Sequence, residues 1–81
     1  MNIETKVKKI LRELSSEETI ENTDHLQRDL ALDSLMMVTM LVEIEEVFAI
    51  ELDEADMNPF DLGTVQNVID MVAKYCGDKN E

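Results

Sequence analysis

Three segments of the chain repeat their apolar residues at intervals of three and four, which is the spacing of one face of a helix. These segments are residues 3–14, 34–49 and 65–76. No stretch alternates apolar and polar residues over the length of a stable strand, and the single proline lies between the second and third segments. The pattern therefore predicts an all-α fold, a small bundle of three to four helices within a single domain over residues 1–81.

The connections between these helices are unequal in length. A polar loop over residues 15–33 joins the first two helices, and its apolar anchors are Ile20, Leu26, Leu30 and Leu32. A connection this long in a small domain packs down by its anchors, has a functional role, or does both. A short helix is expected over residues 54–57, before Pro59. Thr64 is the expected N-cap of the last helix and Gly77 its stop, and residues 77–81 are expected to fray.

The charge of the chain is strongly acidic, with 19 Asp and Glu against 7 Lys and Arg, a formal net charge of −12. This excess repels phosphate backbones and argues against nucleic acid as a partner. It favours docking on basic patches of other proteins, although acidity that only keeps a small protein soluble is the alternative. No Lys or Arg lies between Asp29 and Ala73, and this asymmetry favours a binding face.

The sequence also constrains the compartment of the protein. Cys76 is the single cysteine, so no internal disulfide is possible. The N-terminus is charged and lacks the apolar core of a secretory signal, and no apolar run has the length of a membrane span. We predict a cytoplasmic monomer without stable membrane insertion.

The residues that could support catalysis or metal binding are few. A pair of His25 and Cys76 would need a third orienting group and a pocket, and no glycine-rich phosphate loop or Cys/His metal set is present. The acids after Asp53 do not form an EF-hand, since Asn58 and Thr64 stand where that loop needs glycine and glutamate. We predict that the protein is not an enzyme and has no specific metal site.

The second helix has an unusual outward face. A helical wheel places on the core side Met37, Leu41, Ile44 and Phe48, with Val38 and Glu45 at its margin. The wheel places on the outward side Met36, Thr39, Glu43 and Glu46, flanked by Leu35 and Val42. A helix that is exposed only to water does not need these apolar residues, so the pattern favours a surface that docks partners.

Ser34 stands where this helix begins, and two interpretations remain open. As an N-cap, its hydroxyl would accept an early backbone N–H and contribute about 1 kcal/mol. As a modification site, it would hold a phosphate ester close to the unpaired N–H groups and positive dipole end of the helix. The residues alone do not choose between them.

Two longer stretches resemble the acyl carrier protein family, namely "LQRDLALDSLMMVTMLVEIEEVFAIEL" and "DLGTVQNVIDMV". The resemblance rests on the signature Asp33-Ser34-Leu35 and covers nearly the whole chain. It implies that Ser34 accepts 4′-phosphopantetheine from coenzyme A, transferred by a magnesium-dependent holo-carrier synthase that Asp33 and Leu35 help to engage. It also implies a path for the attached chain between the helices, lined by Val38, Leu41, Ile44, Phe48 and Ile69.

The expected function is that of a carrier that delivers acyl groups to biosynthetic enzymes, in fatty acid or related acyl-chain synthesis. Carriers of the fatty-acid type usually have acids where this chain has Met36 and Thr39, and a glycine where it has Ala31. These departures point toward the alternatives, an aminoacyl or D-alanyl carrier or one in a polyketide or peptide pathway. The alternative of another class is an acidic helical adaptor in which Ser34 is only a cap.

Overall fold

The computed structural model describes residues 3–58 and 62–76. They form helix α1 (Ile3–Ser15), helix α2 (Ser34–Phe48), a single 3₁₀ turn (Glu54–Asp56) and helix α3 (Val65–Cys76). The described residues contain no β-strand, only an isolated bridge between His25 and Thr64. The predicted all-α class is confirmed. The expected stop at Gly77 and the tail over residues 77–81 lie outside the described residues, as does Pro59.

Helix α1 is the element against which the other two long helices pack. Its buried residues, Val7, Ile10 and Leu11, lie on one face, and the residues between them are mostly charged. An exposed ion pair joins Lys8 Nζ to Glu4 Oε2 at 2.9 Å, a spacing of four residues that adds only a few tenths of a kcal/mol. The helix is therefore stabilised mainly by burial of its apolar face.

The buried face of α2 is rotated relative to the helical wheel. Met37, Met40, Leu41 and Ile44 are all inaccessible to solvent, whereas Val38 is 44% exposed. The wheel did not place Met40 in the core, and it placed Val38 at the margin of the core face. In the structure the buried face is centred between Met37 and Ile44 and extends to Met40, and Val38 lies outside it, toward solvent.

The loop between α1 and α2 is packed by its apolar anchors, which is one of the alternatives that the sequence left open. Ile20, Leu26, Leu30 and Leu32 are each at most 5% exposed. Backbone hydrogen bonds tie the loop to the start of α3: Leu26 N–H donates to the Gly63 carbonyl at 2.8 Å, and Val65 N–H donates to the Asp24 carbonyl at 3.0 Å. The loop therefore forms part of the core and closes the bundle beside α3.

The start of α3 is capped as predicted. Thr64 Oγ1 accepts the backbone N–H of Asn67 at 3.3 Å, and Asn67 Oδ1 accepts in return the N–H groups of Gly63 and Thr64 at 3.0 and 2.9 Å. This reciprocal arrangement satisfies N–H groups that a helix start leaves unpaired. The same turn is the one to which the long loop is bonded, so the two contacts support each other.

The segment after α2 is held by two side chains from different helices. Glu45 Oε2 accepts the backbone N–H of Leu52 at 2.9 Å, and Leu52 is buried. The Tyr75 hydroxyl accepts the N–H of Asp53 at 2.9 Å and donates to Asp56 Oδ2 at 2.5 Å. The 3₁₀ turn is thereby fixed to α3.

Two exposed alanines adopt the left-handed conformation, Ala31 with φ 57° and Ala49, the C-cap of α2, with φ 55°. This conformation costs an L-residue about 1 kcal/mol or more and costs glycine almost nothing. Although glycine is more flexible in the unfolded chain, we expect Ala31→Gly and Ala49→Gly each to raise the free energy of unfolding by about 0.5 kcal/mol. Urea denaturation followed by circular dichroism measures this change.

The matched control is Ala73→Gly, which makes the same substitution inside α3. There glycine has no backbone advantage, and we expect a loss of about 1 kcal/mol. If all three variants lost stability to the same extent, the left-handed geometry at Ala31 and Ala49 would be wrong.

The hydrogen bond between Tyr75 and Asp56 also predicts how the free energy of unfolding depends on pH. The hydrogen bond from Tyr75 lowers the pKa of Asp56, and Lys74 lowers it further, against a smaller opposing effect of burial. The folded protein therefore binds fewer protons than the unfolded chain, so this contribution is complete above about pH 4 and is lost as pH falls through the folded pKa. We expect Tyr75→Phe to flatten the fall in unfolding free energy that occurs as the pH drops below the ordinary aspartate pKa of about 4.

The control for this prediction is the Asp56→Asn background, in which the titrating group is absent. Tyr75→Phe should then change the overall stability without any further change in the acid slope. An equal change of slope in both backgrounds would show that another carboxyl is responsible.

Candidate functional site

Ser34 is the first residue of α2, and its side chain is exposed. The residues before it alternate between buried and exposed positions: Leu30 and Leu32 are in the core, and Ala31 and Asp33 face solvent. Leu32 N–H also donates to the Leu26 carbonyl at 3.0 Å. The buried leucines fix the backbone directly before α2, so the position of Ser34 at the surface is fixed as well.

Asp33, not Ser34, is the N-cap of α2. Asp33 has an extended backbone with φ −90° and ψ −178°, and its Oδ1 accepts the backbone N–H of Met36 at 2.8 Å. The interpretation of Ser34 as the cap is therefore wrong, because Ser34 already lies inside the helix. Within residues 3–58 and 62–76, no group hydrogen-bonds to the Ser34 hydroxyl. The hydroxyl is exposed and has no structural role in the cap.

The electrostatic surroundings of Ser34 favour an anion. A helix start carries N–H groups without intrahelical partners and the positive end of the helix dipole. The first turn of α2 contains no acidic residue, and the one adjacent carboxylate, that of Asp33, is engaged by the Met36 N–H. A phosphate ester on Ser34 would thus lie where its negative charge is stabilised.

The predicted partner surface is mostly exposed around this site. Leu35 is 74% exposed, Val42 is 42% exposed, and Thr39 and Glu46 also face solvent. Glu43 is half-buried. Met36 differs from its predicted outward position, because its side chain is half-buried and packs against the core.

The residues predicted to line a path for the attached chain are not all brought together. Leu41 and Ile44 are fully buried, and Phe48 and Ile69 are half-buried against the same core. Val38 was also predicted to line this path, but its side chain lies on the solvent side of α2. The sequence interpretation placed Met37 on the core side, and Met37 is buried, but it missed Met40 and Met71 as interior residues of this region. Their helical spacing would have predicted their burial only if the direction of the buried face of each helix had been known.

His25 and Cys76 do not form a catalytic pair. His25 Nδ1 accepts the backbone N–H groups of Gln27 and Arg28 at 3.3 and 3.2 Å, which makes it part of a turn. His25 pairs with Thr64 beside the start of α3, whereas Cys76 is the last residue of that helix, about 18 Å away along its axis. The described residues also hold no cluster of His, Cys, Asp and Glu that could bind a metal ion.

A separate finding concerns membranes. Among the helices that the structure describes, none combines the length and the apolar character that a membrane span requires.

Comparison with protein families gives one match over most of the chain. The family model described as "Phosphopantetheine attachment site" matches residues 3–72, which include α1, the long loop, all of α2 and most of α3. Ser34, at the start of α2, lies within the matched region.

Curated relatives match over nearly their whole lengths. The acyl carrier protein of Buchnera aphidicola subsp. Baizongia pistaciae is 37% identical over 76 residues, which cover 91% of this chain and 95% of the relative. The acyl carrier protein of Buchnera aphidicola subsp. Schizaphis graminum is 37% identical over 83 residues, covering 99% and 96%. The acyl carrier protein of Desulforapulum autotrophicum is 35% identical over 77 residues, covering 91% and 97%.

The capping geometry predicts different costs for two neighbouring substitutions. Asp33→Ala removes the side-chain acceptor of the Met36 N–H and should lower the free energy of unfolding by about 1 kcal/mol. Ser34→Ala removes no hydrogen bond and should change it by less than about 0.5 kcal/mol. Asp33→Asn, which keeps an acceptor oxygen, is the matched control and should retain most of the stability.

Urea denaturation at neutral pH measures all three variants. A larger loss for Ser34→Ala than for Asp33→Ala would restore the serine as the cap and contradict the structure.

Proposed function

The chain belongs to the acyl carrier protein family, and from this premise we propose that it holds acyl intermediates at Ser34 and delivers them to biosynthetic enzymes. Membership in the family makes the protein a carrier rather than an enzyme, with covalently bound 4′-phosphopantetheine as its prosthetic group. An adaptor without a prosthetic group does not agree with this membership. The position of the attachment, the cargo and the pathway belong to the proposal.

The observation that carries the assignment of Ser34 is its exposed hydroxyl at the start of α2. Asp33 supplies the capping bond, so modification of Ser34 would cost the fold no hydrogen bond among the described residues. The helix start stabilises the negative charge of a phosphodiester. When bound, the prosthetic group supplies a terminal thiol on which the acyl cargo is held as a thioester.

The side chains beside Ser34 would serve recognition. Leu35 projects into solvent directly after the serine and presents an apolar contact to a phosphopantetheinyl transferase. Asp33 holds the first turn of α2 in place through its bond to Met36, so that the serine hydroxyl is presented in one orientation. A magnesium-dependent transferase would supply the metal for the transfer.

Delivery to several enzymes in turn requires fast and weak docking. The net charge of −12 accelerates encounter with enzymes that carry basic docking patches. A small apolar contact at Leu35 limits the lifetime of each complex, and a long-lived complex would hold the cargo back. We infer a cytoplasmic, monomeric carrier that serves fatty acid or related acyl-chain synthesis.

A specialised cargo is the second candidate, and one observation favours it. Residues 34–42 of α2 have no charged side chain, and they include Met36 and Thr39, where carriers of the fatty-acid type usually have acids. Enzymes that recognise those acids would have no ionic partner here. A carrier for aminoacyl or D-alanyl groups, or for a polyketide or peptide pathway, agrees with this difference.

Intact mass spectrometry tests the attachment. Purified protein incubated with coenzyme A, Mg²⁺ and a broad-specificity phosphopantetheinyl transferase should gain the mass of one phosphopantetheine, and peptide mapping should place it on Ser34. Ser34→Ala should gain nothing while keeping its helical circular dichroism spectrum. Ser16→Ala, at another exposed serine, should gain the same mass as the wild type.

An absence of any gain in the wild type, or an equal gain in Ser34→Ala, would overturn the assignment. The mass of the loaded form isolated from the source organism then distinguishes the cargoes, because a fatty acyl chain and an aminoacyl group give different increments.

A further inference from the structure

His25 opens a single helical turn inside the long loop between α1 and α2. The His25 carbonyl accepts the backbone N–H groups of Asp29 and Leu30 at 2.8 and 3.1 Å, which closes the turn. Residues 25–30 are called the loop turn below. One turn of helix is not stable by its own hydrogen bonds. The loop turn therefore depends on the contacts that hold its two ends.

The ring of His25 holds the first end of the loop turn. Its Nδ1 accepts the backbone N–H groups of Gln27 and Arg28 at 3.3 and 3.2 Å. These residues are two and three positions after His25, where the side chain of an N-cap finds its donors. Asp29 Oδ2 accepts in return the backbone N–H of His25 at 2.6 Å, a reciprocal bond like that of a capping box. His25 is thus the side-chain cap of the loop turn.

The other end of the loop turn leads to Ser34. Leu32 N–H donates to the Leu26 carbonyl at 3.0 Å, so the chain after the turn is bonded back to the residue that follows the cap. Leu26 and Leu32 are both buried. Asp33, the N-cap of α2, comes directly after Leu32. The loop turn therefore sets the position at which α2 begins, and with it the position of the serine.

The capping bonds require a neutral ring. A neutral imidazole has one nitrogen that accepts a hydrogen bond, whereas a protonated imidazole has two donors and no acceptor. The two bonds to Nδ1 assign the proton of the neutral ring to Nε2. Protonation of Nδ1 would place a donor against two backbone N–H groups, and the cap would be lost.

The groups that face the ring come from α3 and from the loop itself. The start of α3 supplies Gly63 and Thr64, which do not titrate, and the first turn of α3 has no acidic residue. The charged neighbours in the loop are Asp24, Arg28 and Asp29. Both of these carboxylates accept a backbone N–H, and neither forms an ion pair with the ring within residues 3–58 and 62–76. The lone pair of Nδ1 is therefore directed at backbone donors.

From these contacts, and on the premise of the proposed carrier function, we propose that His25 is a positioning residue for the modification of Ser34. The neutral ring caps the loop turn, and the closed turn fixes the chain before α2 in the form that a phosphopantetheinyl transferase binds. Removal or protonation of the ring opens the turn in a fraction of the molecules, and the transferase does not bind that fraction. His25 acts through the backbone and not on the serine hydroxyl.

This positioning role has a specific kinetic consequence. If only the closed form of the carrier binds, the apparent affinity falls with the closed fraction, but each bound carrier reacts as before. Loss of the cap should therefore raise KM for the carrier and leave kcat unchanged. A group that acts on the serine itself would instead change kcat.

Two substitutions at His25 and one control separate the cap from other effects. His25→Ala removes the acceptor, whereas His25→Asn supplies an amide oxygen that does not titrate. Gln27→Ala makes a truncation in the same loop turn. The side chain of Gln27 is exposed and forms no hydrogen bond within residues 3–58 and 62–76, so this control leaves the cap intact.

The experiment measures kcat and KM for loading of the full chain by a phosphopantetheinyl transferase with coenzyme A. We expect His25→Ala to raise KM for the carrier by about three- to fivefold with kcat unchanged, and His25→Asn and Gln27→Ala to stay within about twofold of the wild type. Amide hydrogen exchange of Leu32, whose N–H is bonded to Leu26, should become faster by a similar factor in His25→Ala alone.

A histidine cap also gives a pH profile that an asparagine cap does not. Histidine side chains in general change their charge between about pH 7.5 and about pH 5.5, and asparagine does not. We expect kcat/KM of the wild type, divided by that of His25→Asn, to fall by about threefold across this range. The pH dependence of the transferase itself cancels in this ratio.

Each other outcome overturns a specific statement. Equal KM and equal Leu32 exchange in His25→Ala and Gln27→Ala, a fall in kcat alone, or a raised KM in His25→Asn would overturn the positioning role and leave the carrier function intact. A constant pH ratio would overturn the neutral ring as the cap, and it decides the question even if His25→Ala does not fold. A wild type that is not loaded at Ser34 would overturn the carrier function itself, while Leu32 exchange would still report on the cap.

Discussion

The burial of the long loop between α1 and α2 is the constraint on which the rest of the structure depends. Helices α2 and α3 each pack against α1, and the loop closes the bundle by placing Leu26, Leu30 and Leu32 in the core. Its backbone also pairs with the start of α3 at Gly63 and Val65. A chain of 81 residues buries little apolar surface, so the contribution of these loop residues is large for its size. The loop is thus a structural element without being a helix.

The same burial determines what Ser34 can do. Because Leu30 and Leu32 fix the backbone just before α2, the residue that caps the helix is Asp33, and the serine that follows is not needed for capping. Capping and modification would compete for one hydroxyl if a single residue had both roles. The structure gives the capping role to Asp33, so the attachment proposed at Ser34 would not compete with it. The prosthetic group of this family can therefore be attached without loss of the helix start.

Helical periodicity predicted most of the fold, because each long helix buries one face and the four loop anchors are apolar in a polar segment. It did not predict the exact direction of each buried face, or the hydrogen bonds to residues outside the same helix. The wheel placed Val38 at the margin of the core side and did not place Met40, whereas in the structure Met40 is buried and Val38 is exposed, since the direction of the buried face is set by the contact with α1. The wheel placed Glu45 at the margin of the core side, but it gave no partner for the carboxylate, which accepts the N–H of Leu52 seven residues further along. No local pattern contains that partner.

The candidate site shows the same division. The signature around Ser34 pointed to the serine and to Leu35, and both are exposed as a docking partner would need. The sequence did not reveal that Asp33 and Glu45 each accept a backbone N–H group, because those bonds depend on how the chain folds.

The distribution of charge then separates two stages of recognition that the composition alone would merge. Long-range attraction depends on the total charge and its sign, and the whole acidic chain contributes to it. Short-range fit depends on the groups that touch, and the apolar side chains that α2 exposes after Ser34 include Leu35, Val38 and Val42. A carrier that must leave each enzyme quickly benefits from this separation, since attraction at a distance speeds arrival without adding strong contacts that slow departure. On the proposed carrier function, the exposed apolar groups at the start of α2 and the acidity of the chain would serve complementary steps of docking.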